Sequence, residues 1–159
     1  DSSDPIGPAQ SLFETPFYQA MYAACKPGGK ICTQAESMWV HLDLIEKLVK
    51  DALAIFANAE YATTQIPTYP AGQIGLLVCS KEGGKGKKQP TAAKPARKIP
   101  KGDESKFRFY TSALHEASFV LPAFVEQTLE KAREAAAAAA EEKEEESKSE
   151  SPSKRARKN

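Results

Sequence analysis

Two strand-like runs, Glu60 to Ile66 and Gln73 to Cys79, are separated by Pro67-Thr68-Tyr69-Pro70-Ala71-Gly72. That hexapeptide cannot extend a strand, because its two prolines fix φ and remove donors and its glycine admits the turn conformations. The runs on either side are therefore expected to fold back on one another as an antiparallel hairpin with a long loop. No other feature of the chain constrains the fold as strongly.

The rest of the chain is built around this hairpin. Residues 10–25 place Leu12, Phe13, Phe17, Met21 and Tyr22 at helical spacing, with Pro16 early enough for a first turn or kink. Lys26-Pro27-Gly28-Gly29 is a stop, and Lys30 to Gln34 reads as a short buried strand. Residues 37–57 predict a long amphipathic helix capped by Ser37, with Trp39, Leu42, Ile45, Leu48, Val49, Leu53 and Phe56 on one stripe. Trp39 is expected in the core, His41 and His115 as structural or solvated residues, and Glu36 as an exposed acid at a strand end in preference to a partner standing behind a site residue. Phe107 to Tyr110 reads as a further short strand. Residues 112–133 return to helical pattern, broken into two helices at Pro122.

Helix, strand, helix, strand, strand argues for an α/β layered sheet. The closing pair predicts one antiparallel edge strand on a mostly parallel sheet. Charge divides the chain further. Residues 1–80 hold 4 Lys against 8 Asp/Glu, a net of −4, and residues 81–106 hold 9 Lys/Arg against 3 Asp/Glu, a net of +6. An acidic core suits cationic ligands, although a solvated acidic surface has the same composition. Residues 82–106 are poor in large apolar side chains and read as a disordered basic insert. Their Gly83-Gly84-Lys85-Gly86 run lacks the spacing of a phosphate loop. The insert has no interleaved aromatics, so nucleic acid is not an expected partner. Residues 134–159 form a charged, low-complexity tail.

Cys25, Cys32 and Cys79 have no metal-ligand spacing, and an odd number of thiols in apolar surroundings fits a reducing, cytoplasmic setting. No metal site is expected. No run reaches transmembrane length and no signal peptide is visible. The Lys154-Arg155-Ala156-Arg157-Lys158 cluster keeps the nucleus as an alternative address, though short basic clusters are common.

The first eight residues are Asp1-Ser2-Ser3-Asp4-Pro5-Ile6-Gly7-Pro8. Two carboxylates three positions apart, followed by residues that force a turn, can be aimed into one cavity. Turn chemistry alone would also explain an Asp before Pro. A chain that starts on such a loop reads as the C-terminal part of a longer protein.

Three motifs now stand in order: Asp-Ser-Ser-Asp-Pro-x-Gly-Pro, Gln34-Ala35-Glu36-Ser37-Met38-Trp39, and Pro67 to Gly75. Together they resemble the spermidine synthase family. The resemblance is almost continuous over residues 1–81 and resumes at about 107–130, where Phe109-Tyr110, His115, Ala117, Phe119, Leu121 and Pro122 match. One aminopropyltransferase domain is therefore expected over 1–81, with its C-terminal helices at 107–133.

The resemblance implies the C-terminal half of a Rossmann-like, methyltransferase-type sheet with an antiparallel closing strand. It also implies transfer of an aminopropyl group from decarboxylated S-adenosylmethionine to putrescine. By matching position, Asp1 is the catalytic acid-base residue, and Asp4, Tyr69 and Gln34 contact the diamine. Pro8, Ala9 and Leu12 line the adenine pocket. The nucleotide is a co-substrate and no other cofactor is implied. The resemblance also implies a homodimer for the full-length protein. A putrescine N-methyltransferase, a spermine-type synthase or a non-catalytic scaffolding relative would share the same fold. The Gly-rich nucleotide loop and the ribose-binding acid of the family are absent from this sequence, so the chain alone is expected to be inactive.

Overall fold

The computed structural model describes residues 7–83 and 90–149. A 3-10 helix, Gly7–Phe13, leads into α1, Thr15–Ala24. Then follow β1 (Lys30–Gln34), α2 (Leu42–Leu53), β2 (Asn58–Gln65) and β3 (Gln73–Ser80). Two helices close the described chain, α3 (Ser112–Ala117) and α4 (Ala123–Ser149).

The 10–25 helix of the sequence is divided at Glu14, whose backbone is extended at φ −103 and ψ 153. Pro16 has no N–H to give to the carbonyl one turn earlier, so a helix cannot run through it. It serves instead in the first turn of α1, where a donor is not needed.

The hairpin forms as expected. β2 and β3 pair antiparallel from Asn58 opposite Ser80 to Gln65 opposite Gln73. Between them the amide of Gly72 donates to the Tyr69 carbonyl at 2.8 Å. With Pro70 and Ala71 at the centre and Ala71 at φ 61, this is a type II turn.

The position of β3 differs from expectation. The sheet order is β1-β3-β2, with β3 antiparallel to both neighbours. β3 is thus the central strand and not an edge. Its run Gln73-Ile-Gly-Leu-Leu-Val-Cys-Ser is apolar on both faces, and Ile74, Leu77 and Cys79 are buried, as an inner strand requires. β1 and β2 run parallel to each other on either side of it, and α2 carries the crossover between them.

α2 buries Ile45, Leu48, Val49 and Ala52, and α4 lays Val125, Leu129 and Ala132 onto the same core. Each fully buried aliphatic side chain of this kind is worth about 1.5–3 kcal/mol. Tyr18 of α1 is buried as well, and its hydroxyl lies 3.3 Å from Thr33 Oγ1 on β1. Beyond Arg133, α4 has no apolar stripe and is largely exposed.

Three local expectations are corrected. Ser37 does not cap α2, whose N-cap is His41. Ser37 is buried and closes a tight turn, its carbonyl accepting from the amides of Val40 and His41. Trp39, on that turn, is 59% exposed and leaves the core stripe. Its indole N–H donates to Gln73 Oε1 at 3.0 Å, and its ring rests on Phe124. Residues 107–110 form no strand.

Residues 90–106, inside the stretch expected to be a disordered insert, run as turns with a short 3-10 helix at Glu104–Lys106. They are tied to the sheet by Glu60 of β2. Its carboxylate accepts from the Thr91 hydroxyl and from the Ala92 amide. The Ala92 carbonyl in turn meets His115 Nε2 at 2.8 Å, which gives His115 the structural role expected of it. Gly84 to Gly86 and the Lys154–Lys158 cluster lie outside the described residues.

Candidate active site

The carboxyl ends of β1 and β2 lie on one edge of the sheet, the place where open α/β sheets bind ligands. β1 ends at Gln34. The chain then hugs β3, with the Ala35 amide donating to the Gly75 carbonyl at 2.9 Å and the Gly75 amide to the Glu36 carbonyl at 2.8 Å. The Tyr61 hydroxyl donates to that same carbonyl at 2.9 Å. A Cβ on Gly75 would overlap Tyr61 Oη and the Glu36 carbonyl oxygen. Gly75 is required here for space, since only a bare backbone lets the three groups meet.

These contacts hold Glu36 at φ 59, a left-handed conformation uncommon for a residue other than glycine, aspartate or asparagine. The result is a carboxylate turned inward. Glu36 is 5% exposed, which corrects the expectation of an exposed strand-end acid. Its Oε2 accepts from the Tyr69 hydroxyl at 2.8 Å and lies 3.4 Å from His41 Nδ1. A buried carboxylate is tolerated only when it is partnered in this way. Glu36, Ser37, Val40, His41, Tyr69 and Pro70 line a cavity of about 100 Å³. Burial raises the pKa of the supporting Tyr61 phenol, so it remains a neutral donor to the Glu36 carbonyl.

A second cavity of about 340 Å³ opens beside β1, lined by Leu12, Phe13, Phe17, Met21, Cys32, Thr33, Gln34 and Leu76. It is largely apolar, with Gln34 and Thr33 as its polar groups. Cys32 is exposed, and partial desolvation on the cavity wall raises the pKa of its thiol.

The residues singled out from the sequence therefore fall into two groups. Tyr69 sits in the smaller cavity, bonded to Glu36. Gln34 and Leu12 share the larger one, while on the same 3-10 helix Ala9 is half-buried and Pro8 exposed. Asp1 and Asp4 lie outside the described residues. Glu36 and His41 were not read as site residues. The one signal for Glu36 was its place inside the Gln-Ala-Glu-Ser-Met-Trp motif, directly after a strand end. Among the described residues no group of three or more His, Cys, Asp or Glu is placed to hold a metal ion. No helix among them is long and apolar enough to cross a membrane.

The architecture defines an α/β chain with a polar, anionic cavity at the carboxyl edge of its sheet and an apolar one alongside. Residues 1–89, more than half of the chain, match the family described as Spermine/spermidine synthase domain. The chain belongs to the spermine/spermidine synthase family. It is 47% identical over 129 residues to a spermidine synthase of Dictyostelium discoideum, covering 81% of this chain and 43% of that protein. It is 45% identical over 135 residues to spermidine synthase 1 of Datura stramonium, covering 82% of this chain and 43% of the relative.

Among solved structures it is similar to a spermidine synthase in complex with the transition-state analogue AdoDATO. There the TM-score is 0.61 at 26% identity, over 80% of this chain and 42% of that one. The spermidine synthase of Thermotoga maritima gives 0.58 at 25% identity, over 77% and 40%. The chain thus spans less than half the length of these relatives.

Proposed function

We propose that this chain takes part in transfer of an aminopropyl group from decarboxylated S-adenosylmethionine to putrescine, yielding spermidine and methylthioadenosine. The observation that carries the reading is the inward-facing Glu36–Tyr69 pair at the strand ends, in a chain of this family. It supplies buried negative charge and a phenol where a cationic alkylamine would be recognised.

The chemistry explains the residue types. An alkylamine has a reference pKa near ~10.4, so only about one molecule in a thousand is uncharged at neutral pH. It must lose a proton before its nitrogen attacks the carbon beside the sulfonium. In the proposed reaction the Asp1 carboxylate takes that proton. The new N–C bond forms as the C–S bond breaks, and the bonding pair returns to sulfur as a neutral thioether. Asp4 holds the far ammonium through a charge-assisted bond. Gln34 orients the diamine from the end of β1. Pro8, Ala9 and Leu12 flank the adenine, next to the apolar cavity that Leu12 shares with Gln34. A carboxylate is a weak base, so most of the acceleration comes from holding two mutually repelling cations in line.

The order β1-β3-β2, with parallel outer strands, supports a Rossmann-like, methyltransferase-type sheet of which these strands are the C-terminal part. The reading includes a homodimer as the assembly, cytoplasmic residence, and no cofactor beyond the nucleotide co-substrate.

The test is a radiolabel assay on the full-length protein with putrescine. Label passing from the aminopropyl group of decarboxylated S-adenosylmethionine into spermidine supports the reading. Methyl transfer from S-adenosylmethionine without spermidine formation refutes it, in favour of an N-methyltransferase. No transfer of either kind refutes it in favour of a non-catalytic relative.

A further inference from the structure

We infer that Glu36 is a positioning residue for Tyr69, locking the phenol in the one hydrogen-bonding polarity that recognises a protonated amine. The inference rests on the aminopropyl-transfer reading above and gives Glu36 a specific task within it. A phenol has one proton to give and lone pairs to receive with. Here the proton goes to Glu36 Oε2 at 2.8 Å. An oxygen that has given away its only proton can do no more than accept. An alkylammonium offers three donors and no acceptor, so it is the complementary partner. A hydroxyl or a neutral amide gains less from such an oxygen, because neither brings charge. The carboxylate also places a negative charge one hydrogen bond behind the phenol, in a site only 6% open to solvent at the Glu36 side chain. Screening there is weak.

This polarity suits the end of the diamine that stays protonated. The reacting end needs a base, and a phenol already committed to Glu36 is poorly placed to act as one. Three contacts argue that the arrangement is built. Glu36 keeps a left-handed backbone, and its carbonyl is held by both the Tyr61 hydroxyl and the Gly75 amide. His41 Nδ1, 3.4 Å from the same carboxylate oxygen, completes the surround on the α2 side.

The test compares wild type, Glu36→Gln, Tyr69→Phe and the double variant of the full-length protein. Each is assayed with putrescine and with the amino alcohol in which one ammonium is replaced by hydroxyl. Gln fills the same space but offers an N–H to the phenol and removes the charge. Glu36→Gln is expected to raise the KM for putrescine about tenfold and to leave that for the nucleotide within about twofold. Its preference for diamine over amino alcohol should fall by about tenfold, and the double variant should be no worse than the poorer single one. If Glu36→Gln does not fold, Tyr69→Phe must by itself show the same loss of preference.

A wild type that transfers the aminopropyl group, with unchanged preference in both variants, overturns this inference and leaves the functional reading standing. A wild type without transfer overturns the functional reading. Putrescine affinity of the four proteins by calorimetry then decides the positioning role: non-additive losses retain it, and additive or absent losses end it.

Discussion

Replacing Gly75 with alanine puts a methyl group into the space where the Tyr61 hydroxyl and the Glu36 carbonyl converge. Gly75 lies within strand β3, so the cost is one of space and not of φ. Two contributions add. Forcing a methyl group into a filled interior costs about 1–3 kcal/mol. If the sheet yields, the Tyr61 hydroxyl loses its acceptor in a buried setting, for about another 1–3 kcal/mol. Gly75→Ala is therefore expected to destabilise by about 2–6 kcal/mol, read as a lower midpoint in urea at unchanged slope.

Tyr61→Phe removes the atom nearest the new methyl. Gly75→Ala should therefore cost less in that background, by more than the ~0.5 kcal/mol scatter expected of independent sites. The same substitution should move the Glu36 carbonyl and with it the bond to Tyr69, so putrescine affinity should fall alongside stability. A Gly75→Ala protein within ~0.5 kcal/mol of wild type, or costs that simply add with those of Tyr61→Phe, would refute the reasoning.

Leu129→Ala, on the buried face of α4 against α2, should cost about 2–5 kcal/mol in urea unfolding; a loss below ~1 kcal/mol would mean that α4 is not docked there. Burial pushes the Cys79 thiol up to about 12 from an ordinary 9.0. A raised value means the folded state holds the proton more tightly, so this contribution is whole below pH ~9 and is lost as pH rises toward ~12, at up to about 1.4 kcal/mol per pH unit. Cys79→Ala should flatten that alkaline decline, and an identical slope in both proteins would contradict it. Glu60→Ala removes the two bonds that join Thr91 and Ala92 to β2 and leaves the Ala92 carbonyl on His115; tryptic cleavage within residues 94–101 should accelerate about tenfold, and an unchanged rate would show that residues 90–106 are held elsewhere.

Much of this arrangement could be read from the chain, and the exceptions have physical causes. The β2–β3 hairpin was legible because Pro67, Pro70 and Gly72 force a turn between two strand-like runs. The central place of β3 was also written in its sequence, since Ile74 and Val78 are apolar on one face and Leu77 and Cys79 on the other. Chain order pointed to an edge, and the two-faced pattern was the better guide. Trp39 has helical spacing with Leu42 and Ile45. The spacing is coincidental, because the chain turns at residues 38–40 before α2 begins. Glu36 was the least legible of all. Its inward turn depends on a left-handed φ that no local residue demands, and on the missing side chain of Gly75, distant in sequence. Leu12 and Gln34 line one cavity, a proximity that helical spacing does not give, since it assigns Leu12 only to the core.

The strand that sits in the middle of the sheet is the last of the three to be made. Until Gln73 to Ser80 leaves the ribosome, β1 and β2 face each other across a gap that neither can close. Both outer strands pair only with β3, so the sheet is completed when it docks between them, a long-range step of the kind that slows folding and leaves unpaired edges exposed. A nascent chain stalled before Gln73 would be the form of this protein most in need of a chaperone.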